Sequence, residues 1–234
     1  MTEMLTVGTG LSSALGKALM GRLSSETAVL ALGRTEIRAP RVHWISVDFR
    51  QPAATWSAPV IAWLRHQKPS VSAFVHASGV VYSDVVERTT LDEWEATWRV
   101  NVASAFRLGQ VLSPYLADGA SVVLVGSVDA WYASQDGPAA AYGASKAALL
   151  GLVRHWASEW GPRGIRVNGV APGALTSGNG PSAQFAENIT GRIALQRLGQ
   201  PGEVADVIQF LLSPQAAYIT GAWIPVDGGL NIRY

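Results

Sequence analysis

Short runs of apolar and β-branched residues alternate along this chain with longer stretches that carry apolar residues at helical spacing. The short runs predict seven strands, at Leu5–Gly8, Ala28–Leu32, Val42–Val47, Ala73–His76, Ser121–Val125, Arg166–Val170 and Trp223–Val226. The longer stretches predict helices, most clearly at Ser13–Leu23, Asp92–Leu116, Ala144–Glu159 and Pro201–Leu212. Because strands that alternate with helices form parallel sheets, the pattern predicts an α/β fold, a doubly wound parallel sheet with helices on both faces.

One connection departs from this alternation. Between Leu32 and Val42 there are too few residues, Pro40 among them, for an ordinary crossover helix. We expect an extended loop there, which leaves one face of the sheet poorly covered.

Length and composition narrow the class of protein. With 234 residues, 48% of them hydrophobic and 15% charged, the chain suits one ordered α/β domain over residues 1–234. A net charge of +1 gives no electrostatic reason to expect a nucleic acid or an anionic membrane as partner. The absence of cysteine excludes disulfides and thiolate sites, and the four histidines lack metal-ligand spacing, so we expect no metal. The first four residues, MTEM, form no basic leader, and no apolar run approaches ~18 residues, so a cytoplasmic location is expected.

The segment Tyr142-Gly143-Ala144-Ser145-Lys146 places a phenol and an ammonium four residues apart, on one face of a predicted helix. A neighbouring positive charge favours the phenolate, so we expect Lys146 to lower the pKa of Tyr142 toward the range of a general acid or base. A surface tyrosine beside a solvated lysine is the alternative. The catalytic interpretation is favoured by Ser127, which follows an apolar run, and by Asn101 in a predicted helix.

A glycine-rich loop follows the first predicted strand and leads into a helix. It runs from Gly8 to Gly16 with the sequence GTGLSSALG, and such a turn offers backbone N–H groups to a pyrophosphate. An ordinary strand–helix turn is the alternative. The second strand ends in Gly33-Arg34-Thr35, without an Asp to bind a ribose 2′-OH, and Arg34 suits a 2′-phosphate instead. Glu36 as the ribose acid, or Arg34 as a plain surface charge, are the other interpretations.

Taken in chain order, these motifs resemble those of the short-chain dehydrogenase/reductase superfamily, in a single-domain form similar to 3-oxoacyl-thioester reductases. The resemblance runs nearly from end to end and implies a Rossmann-like fold. The matching segments are TGLSSALG from Thr9, Val47-Asp48, RVNVASAF around Asn101, VVLVGSV around Ser127, YGASKAALLGL, GIRVNGVAPGAL, RLGQPGEVADVIQFLLS and YITGAWIPVDGG.

The resemblance implies hydride transfer between a nicotinamide and a carbonyl carbon. Tyr142 would give its proton to the developing alkoxide, and Ser127 would donate a hydrogen bond to the same oxygen. Lys146 would hold the phenol acidic and bind the nicotinamide ribose. Asn101 would hold a water that links Lys146 to solvent. The hydride chemistry itself belongs to the cofactor.

The same resemblance, together with Arg34, implies NADP(H) as the cofactor. Asp48 would contact the adenine. The implied cofactor-binding residues are Gly10, Leu11, Ser12, Ser13, Leu15, Gly16, Arg34, Asp48, Phe49, Ala77, Ser78, Gly79, Tyr142, Lys146, Pro172, Gly173 and Leu175.

Three features depart from the family pattern. Ala14 replaces the middle glycine of the loop, where its Cβ could crowd a pyrophosphate. The segment His76-Ala77-Ser78-Gly79 replaces the usual NNAG, so the hydrogen bonds of two Asn side chains are missing. The helix between the second and third strands is lost.

We therefore expect an NADP(H)-dependent oxidoreductase of a small carbonyl or secondary alcohol, most simply a ketoreductase. The alternatives are an NADP-dependent alcohol dehydrogenase working oxidatively and a low-turnover regulatory protein that binds the cofactor. Asp129, Trp131 and Tyr132 could line a substrate pocket or simply pack, and the stretch Thr176–Thr190 is expected to form a substrate lid.

Assembly is expected from surplus apolar residues on two predicted helices, Asp92–Leu116 and Ala144–Glu159. In proteins that this chain resembles, such helices pair across a two-fold axis, and the region Asp227–Tyr234 forms a second contact. We expect a homotetramer, with a dimer as the fallback. The alternative is that the tryptophans of these helices fill the protein core; they are Trp94, Trp98, Trp156 and Trp160.

Overall fold

The computed structural model describes residues 4–133, 137–176 and 183–232. Its centre is one parallel sheet of seven strands in the order β3-β2-β1-β4-β5-β6-β7. The strands are β1 Met4–Thr9, β2 Ala28–Gly33, β3 Val42–Ser46, β4 Ser70–His76, β5 Leu116–Val125, β6 Arg166–Pro172 and β7 Trp223–Val226. The strand order reverses between β1 and β4, and in such sheets the ligand crevice opens at that point.

Helices cover both faces of the sheet, which confirms the predicted doubly wound, Rossmann-like α/β fold. The described helices are α1 Ala14–Met20, α2 Ala53–Gln67, α3 Leu91–Trp98, α4 Ser104–Leu112, α5 Ala140–Trp160, α6 Ala183–Thr190 and α7 Pro201–Leu212, with a π-helical turn, Arg99–Ala103, between α3 and α4. One hydrophobic core joins the sheet to α2, α4 and α5, and the other joins it to α1 and α7. None of these helices is both long enough and apolar enough to cross a bilayer.

The connection between β2 and β3 contains no helix, as its length predicts. Ile37, Val42 and Trp44 pack against the core on the α1 and α7 side but stay only partly buried, so this face is thinly covered. The indole Nε1 of Trp44 donates a hydrogen bond to the Gly33 carbonyl oxygen at 3.0 Å. A side chain of the edge strand therefore ties it to the end of β2.

The tryptophans of α5 do not lie on the surface, so the assembly surface expected there is wrong for two of its residues. Trp156 and Trp160 are 5% and 6% exposed, and their rings stack at 4.9 Å between centroids. Gly109 of α4 makes room for them, since a Cβ at that position would lie 2.5 Å from the Trp156 ring. On the other helical segment, Trp94 is 41% exposed.

Trp223 of β7 sits in a socket made by two glycines of neighbouring segments. A Cβ on Gly126 would lie 2.1 Å from its ring, and one on Gly169 of β6 would lie 2.0 Å from it. Trp131 packs edge-on against the same indole, with 6.1 Å between ring centroids. Trp131 therefore takes the packing role, the alternative to lining a substrate pocket.

Candidate active site

The glycines of the loop between β1 and α1 allow neighbouring backbone segments to pack closely against it. Gly10 has a φ of +69°, and a Cβ there would lie 2.6 Å from the Ala77 carbonyl oxygen, so only glycine fits. A Cβ on Gly16 would lie 2.3 Å from the Cα of Leu11. Ser13 caps α1, its Oγ accepting a hydrogen bond from the Gly16 N–H at 3.0 Å. These contacts leave a groove above the loop.

That groove is a cavity of about 390 Å³ at the reversal point of the sheet. Nine of the cofactor residues expected from the sequence line it: Gly10, Ser12, Ser13, Arg34, Asp48, Phe49, Ala77, Ser78 and Gly79. Leu11, Leu15 and Gly16 lie outside its lining, and Leu11 is buried in the core beneath the loop. Ala14 is exposed at the start of α1 and also lies outside the lining, so nothing in this cavity shows its Cβ crowding a ligand.

The predicted residues after β6 belong to a different part of the site. Pro172 ends β6, and the Gly173 N–H donates a hydrogen bond to the Val226 carbonyl oxygen at 3.1 Å. Leu175 forms an isolated bridge with Gly199. These residues stand at the carboxyl end of the sheet, where Gly173 lines a second cavity.

Asp48 has a partner that the sequence reasoning missed. Arg50 lines the same cavity and holds the Asp48 carboxylate with two of its guanidinium nitrogens, Nη2 at 2.7 Å from Oδ2 and Nε at 3.1 Å from Oδ1. This pairing, with a smaller contribution from Arg34, lowers the pKa of Asp48. Two arginines and one ionised carboxylate therefore share one end of the cavity. Glu36, in contrast, pairs with Arg38 on the exposed loop at 2.9 Å.

The substituted segment after β4 recovers its hydrogen bonds from an unexpected source. Thr9 Oγ1 accepts from the N–H groups of Ala77 and Ser78 at 3.1 Å each, and it lies 3.0 Å from Nδ1 of His76. The Nε2 of His76 lies 3.2 Å from Oγ of Ser104. His76 is fully buried, and burial lowers its pKa to about 3, with the charge of Lys146 acting in the same direction. The His76 imidazole and the Thr9 hydroxyl thus hold the loop after β4, for which the sequence predicts missing Asn hydrogen bonds.

Asn101 stands in the π-helical turn, which widens the helix between α3 and α4. Its side chain pins the loop after β4, accepting from the Val80 N–H at 2.8 Å and donating to the Val80 carbonyl oxygen at 3.0 Å. It also donates to Ser145 Oγ at 2.9 Å. The water-holding role expected for Asn101 stays a prediction, since the contacts seen here are to the protein.

Three of the four catalytic candidates meet between the two cavities. Tyr142 lines the second cavity with Ser127, and the Lys146 ammonium lies 5.5 Å from the centre of the Tyr142 ring. Lys146 Nζ donates to the Val125 carbonyl oxygen at 2.9 Å. A Cβ on Gly79, which lines the first cavity, would be 3.2 Å from the same Nζ. Lys146 therefore reaches from the phenol to the edge of the first cavity.

The expected direction of the Tyr142 pKa shift is wrong. Burial raises the pKa of Tyr142 to about 12; hydrogen bonding to Ser127 lowers it by less, and the charge of Asp129 raises it further. Burial also lowers the pKa of Lys146 to about 8. The spacing of the two residues predicts a charge effect, but desolvation outweighs it because Lys146 is buried and Tyr142 is partly buried at the cavity wall.

The second cavity has a volume of about 460 Å³ and opens beside Tyr142. Asp129 and Tyr132 line it, as one of the two sequence interpretations predicts. Of the expected lid, residues 177–182 lie outside the described part of the chain, whereas α6 contributes Ile189 to the cavity wall. No group of metal-ligating side chains occurs among the described residues.

Comparison with protein families gives a match over residues 26–231 to the family described as enoyl-(acyl carrier protein) reductase. Two 3-oxoacyl-(acyl-carrier-protein) reductases are similar to this chain. The one from Thermotoga maritima is 36% identical over 69% of this chain and 67% of its own length. The one from Pseudomonas aeruginosa is 32% identical over 95% of both chains.

Two further proteins extend the comparison. An NAD-dependent glycerol dehydrogenase from Listeria innocua is 27% identical over 100% of this chain and 96% of its own length. Among solved structures, a short chain dehydrogenase family protein from Francisella tularensis superposes with a TM-score of 0.91, covering 99% of this chain and 100% of the other at 23% identity. At that identity the superposition shows the shared fold.

Proposed function

Because the chain belongs to the short-chain dehydrogenase/reductase family, a family of oxidoreductases, we propose that it is an NADP(H)-dependent reductase of small ketones. The observation that carries this proposal is the meeting of Ser127, Tyr142 and Lys146 between two cavities. One cavity has the glycine cradle suited to a dinucleotide, and the other has room for a small substrate.

The first cavity fits the adenosine end of a nicotinamide dinucleotide. Gly10, Ser12 and Ser13 line it beside the N-terminus of α1, where backbone N–H groups suit a phosphate, and Asp48 would accept hydrogen bonds from an adenosine. Arg34 and Arg50 stand with the single carboxylate of Asp48 at the same end, and this net positive charge favours the additional phosphate of NADP(H). The bound cofactor would supply or accept the hydride.

Residues of the chain would hold the proton and transfer it to the substrate. A pKa of about 12 keeps Tyr142 protonated at neutral pH, so the phenol is ready to donate its proton to a carbonyl oxygen. Ser127 would donate a hydrogen bond to that oxygen as its charge grows. Lys146, with a pKa of about 8, would stabilise the phenolate that remains and hold the nicotinamide ribose. Asn101 fixes this arrangement, since it bonds Ser145, whose Oγ donates to the Tyr142 carbonyl oxygen at 2.7 Å.

Alcohol oxidation is the second candidate, because the same residues catalyse hydride transfer in both directions. The ionised Asp48 carboxylate in the cofactor cavity favours one version of it, since a carboxylate can accept hydrogen bonds from the ribose hydroxyls of NAD. The similarity to the NAD-dependent glycerol dehydrogenase supports the same version. A regulatory protein with little turnover is the weakest candidate, since the meeting of Ser127, Tyr142 and Lys146 supports turnover.

The remaining parts of the proposal concern the whole molecule. We take residues 1–234 as one cofactor-binding unit that acts in the cytoplasm on a small carbonyl or alcohol substrate, without nucleic acid or membrane partners. We further propose a homotetramer, or failing that a dimer. Exposed apolar side chains on α3 and α4 support an interface, with Leu91 79%, Trp94 41% and Phe106 46% exposed.

The test follows nicotinamide absorbance while purified protein is mixed with NADPH or NADH and a panel of ketones, and with the oxidised cofactors and a panel of alcohols. We expect NADPH-dependent reduction. Tyr142→Phe should reduce kcat by at least about 10²-fold, because the transferable proton is lost. Its dissociation constant for NADPH should stay within about twofold of the wild type.

Lys146→Ala should weaken both turnover and NADPH binding, because the ammonium serves the phenol and the ribose. Tyr132→Phe is the matched control, since it removes a cavity-lining hydroxyl outside the catalytic set. A Tyr142→Phe enzyme with near wild-type kcat on a true substrate contradicts the mechanism. A wild type that binds neither cofactor and turns over no member of either panel contradicts the proposal as a whole.

A further inference from the structure

The second cavity contains a carboxylate immediately beside the reacting groups. Asp129 lines it together with Ser127 and Tyr142, and Arg192 and Asn231 stand in the same wall. Gly143 allows this closeness, since a Cβ there would lie 3.0 Å from the Asp129 carbonyl oxygen. The start of α5 is thereby packed tightly against the segment that carries Asp129.

The hydroxyl of Ser127 is already engaged with that carboxylate. Ser127 Oγ donates to Asp129 Oδ2 at 2.7 Å, and it accepts from the Asp129 N–H at 3.2 Å. A serine hydroxyl has a single proton to donate. To donate to a reacting carbonyl oxygen, Ser127 must therefore release Asp129.

Release leaves the carboxylate short of a donor. Within the described part of the chain, the Ser127 hydroxyl is the one group that donates a hydrogen bond to the Asp129 side chain. Asp129 is partly buried at the cavity wall, and a hydrogen bond to a carboxylate contributes more than an average hydrogen bond, so losing it has a cost. A substrate that brings its own donor to Asp129 removes this cost at the moment when Ser127 turns to the reacting oxygen.

We propose that Asp129 selects substrates with a hydroxyl group on the carbon next to the reacting one, so that the substrate class is α-hydroxy ketones and the corresponding vicinal diols. This inference rests on the proposed oxidoreductase function. In the reduction, the carbonyl carbon gains a hydride from the reduced dinucleotide, which is oxidised. The carbonyl oxygen gains the Tyr142 proton, which water then replaces, and the product is a vicinal diol.

The spacing of the protein groups suits two neighbouring oxygens. Two hydrogen-bonded oxygens lie about 2.7–2.8 Å apart, and the oxygens of a gauche vicinal diol have a similar separation. Ser127 Oγ and Asp129 Oδ2, at 2.7 Å, therefore match such a pair, one as donor and the other as acceptor. The cavity wall carries Asp129 and Arg192, one charge of each sign, so a neutral substrate that donates a hydrogen bond to the carboxylate is compatible with it.

The test compares hydroxyacetone with 2-butanone, which differ by exchange of a hydroxyl for a methyl group beside the carbonyl carbon. We measure kcat/KM for both with the preferred cofactor, in the wild type and in Asp129→Ala. The ratio of kcat/KM for hydroxyacetone to that for 2-butanone should fall about tenfold to a hundredfold in Asp129→Ala, because the carboxylate that accepts the hydroxyl's hydrogen bond is gone. Asp129→Asn retains an acceptor oxygen and should keep an intermediate ratio.

Asp118→Ala is the matched control, because it removes an exposed carboxylate paired with Arg163 away from the site. Its ratio should equal that of the wild type. A structural role of Asp129 would lower kcat/KM for both ketones equally, so an unchanged ratio in Asp129→Ala overturns the inference and leaves the reductase proposal standing. A wild type without turnover of any ketone or alcohol overturns both.

A second measurement covers the case in which Asp129→Ala does not fold. Equilibrium binding of 1,2-propanediol and of 2-butanol to the protein loaded with reduced cofactor, which cannot oxidise them, should favour the diol in the wild type, and less so in Asp129→Asn. Equal binding of the two alcohols by the wild type also overturns the inference.

Discussion

The buried His76 makes stability depend on pH in a way that can be measured. Ser104 Oγ donates to the Val100 carbonyl oxygen at 2.6 Å, so it accepts from Nε2–H of His76. Thr9 Oγ1 already accepts two backbone N–H groups, so its proton goes to Nδ1. The network assigns the neutral imidazole with the proton on Nε2. Protonation at Nδ1 would place two hydrogens between His76 and Thr9.

The size of the effect follows from the pKa. In the unfolded chain His76 has the ordinary value of 6.5, whereas burial in the folded protein lowers it to about 3. Below pH 6.5 the unfolded state therefore binds a proton that the folded state does not, and the free energy of unfolding falls as the pH falls. Each pH unit in that window costs about 1.4 kcal/mol. Between pH 7.5 and pH 5, His76 alone should cost about 2 kcal/mol.

The assay is urea unfolding at pH 7.5, 6.5, 5.5 and 5.0, at constant ionic strength and protein concentration, with the free energy extrapolated to water. His76→Asn removes the titrating group and keeps a donor and an acceptor. We expect its loss of stability between pH 7.5 and 5 to be about 2 kcal/mol smaller than that of the wild type. His66→Asn changes an exposed histidine and should follow the wild type.

Parallel pH curves for the wild type and His76→Asn would refute this reasoning. They would mean that the folded protein accommodates the charged imidazole. A difference of the opposite sign would mean that folding raises the pKa of His76.

Two further predictions concern the cofactor end and the core. Arg34→Ala should weaken NADPH binding by about tenfold to a hundredfold, the loss of about 1.5–3 kcal/mol expected for a charge-assisted hydrogen bond, and leave NADH binding unchanged. Fluorescence titration measures both affinities, with Arg38→Ala as the control. Equal losses of affinity for both cofactors would contradict the prediction. Gly169→Ala should lower the free energy of unfolding by about 1–3 kcal/mol, because its Cβ would meet Trp223 at 2.0 Å. Gly151→Ala, at a helical position with open space around it, should raise the free energy of unfolding by about 0.5–1 kcal/mol. Similar free energies of unfolding for the two variants would contradict the close packing of Trp223 against Gly169.

The strands could be predicted from the sequence because parallel strands are buried on both faces and therefore appear as apolar runs. The start of β5 was missed for a local reason. Asp118 and Gly119, with a φ of +79°, interrupt the apolar pattern, and the pairing register with β4 shifts between Val71 and Ala73. Helix α2 was missed because Pro52 and Pro59 suggest a break, although Pro59 lies inside the helix.

The candidate site was predictable in identity but not in electrostatics. The motifs point to Ser127, Tyr142 and Lys146, and the structure brings these side chains together. The direction of the Tyr142 pKa shift depends on burial, which residue spacing does not encode. The pairing of Asp48 with Arg50 could have been predicted, since the arginine follows the acid by two residues in the sequence. The contact between His76 and Thr9 could not have been predicted, because it joins residues 67 positions apart.

The π-helical turn has a consequence for a deletion in this part of the chain. A π turn holds one residue more than an α turn, so Arg99–Ala103 takes up its extra residue locally. Elsewhere in an α-helix, losing one residue rotates everything beyond it by about 100°. Losing one here would instead let the turn close into α geometry while α3 and α4 keep their relation. Asn101 would then leave Val80 and Ser145, both of which it now holds, so the deletion would spare the helix and detach the loop after β4 from α5.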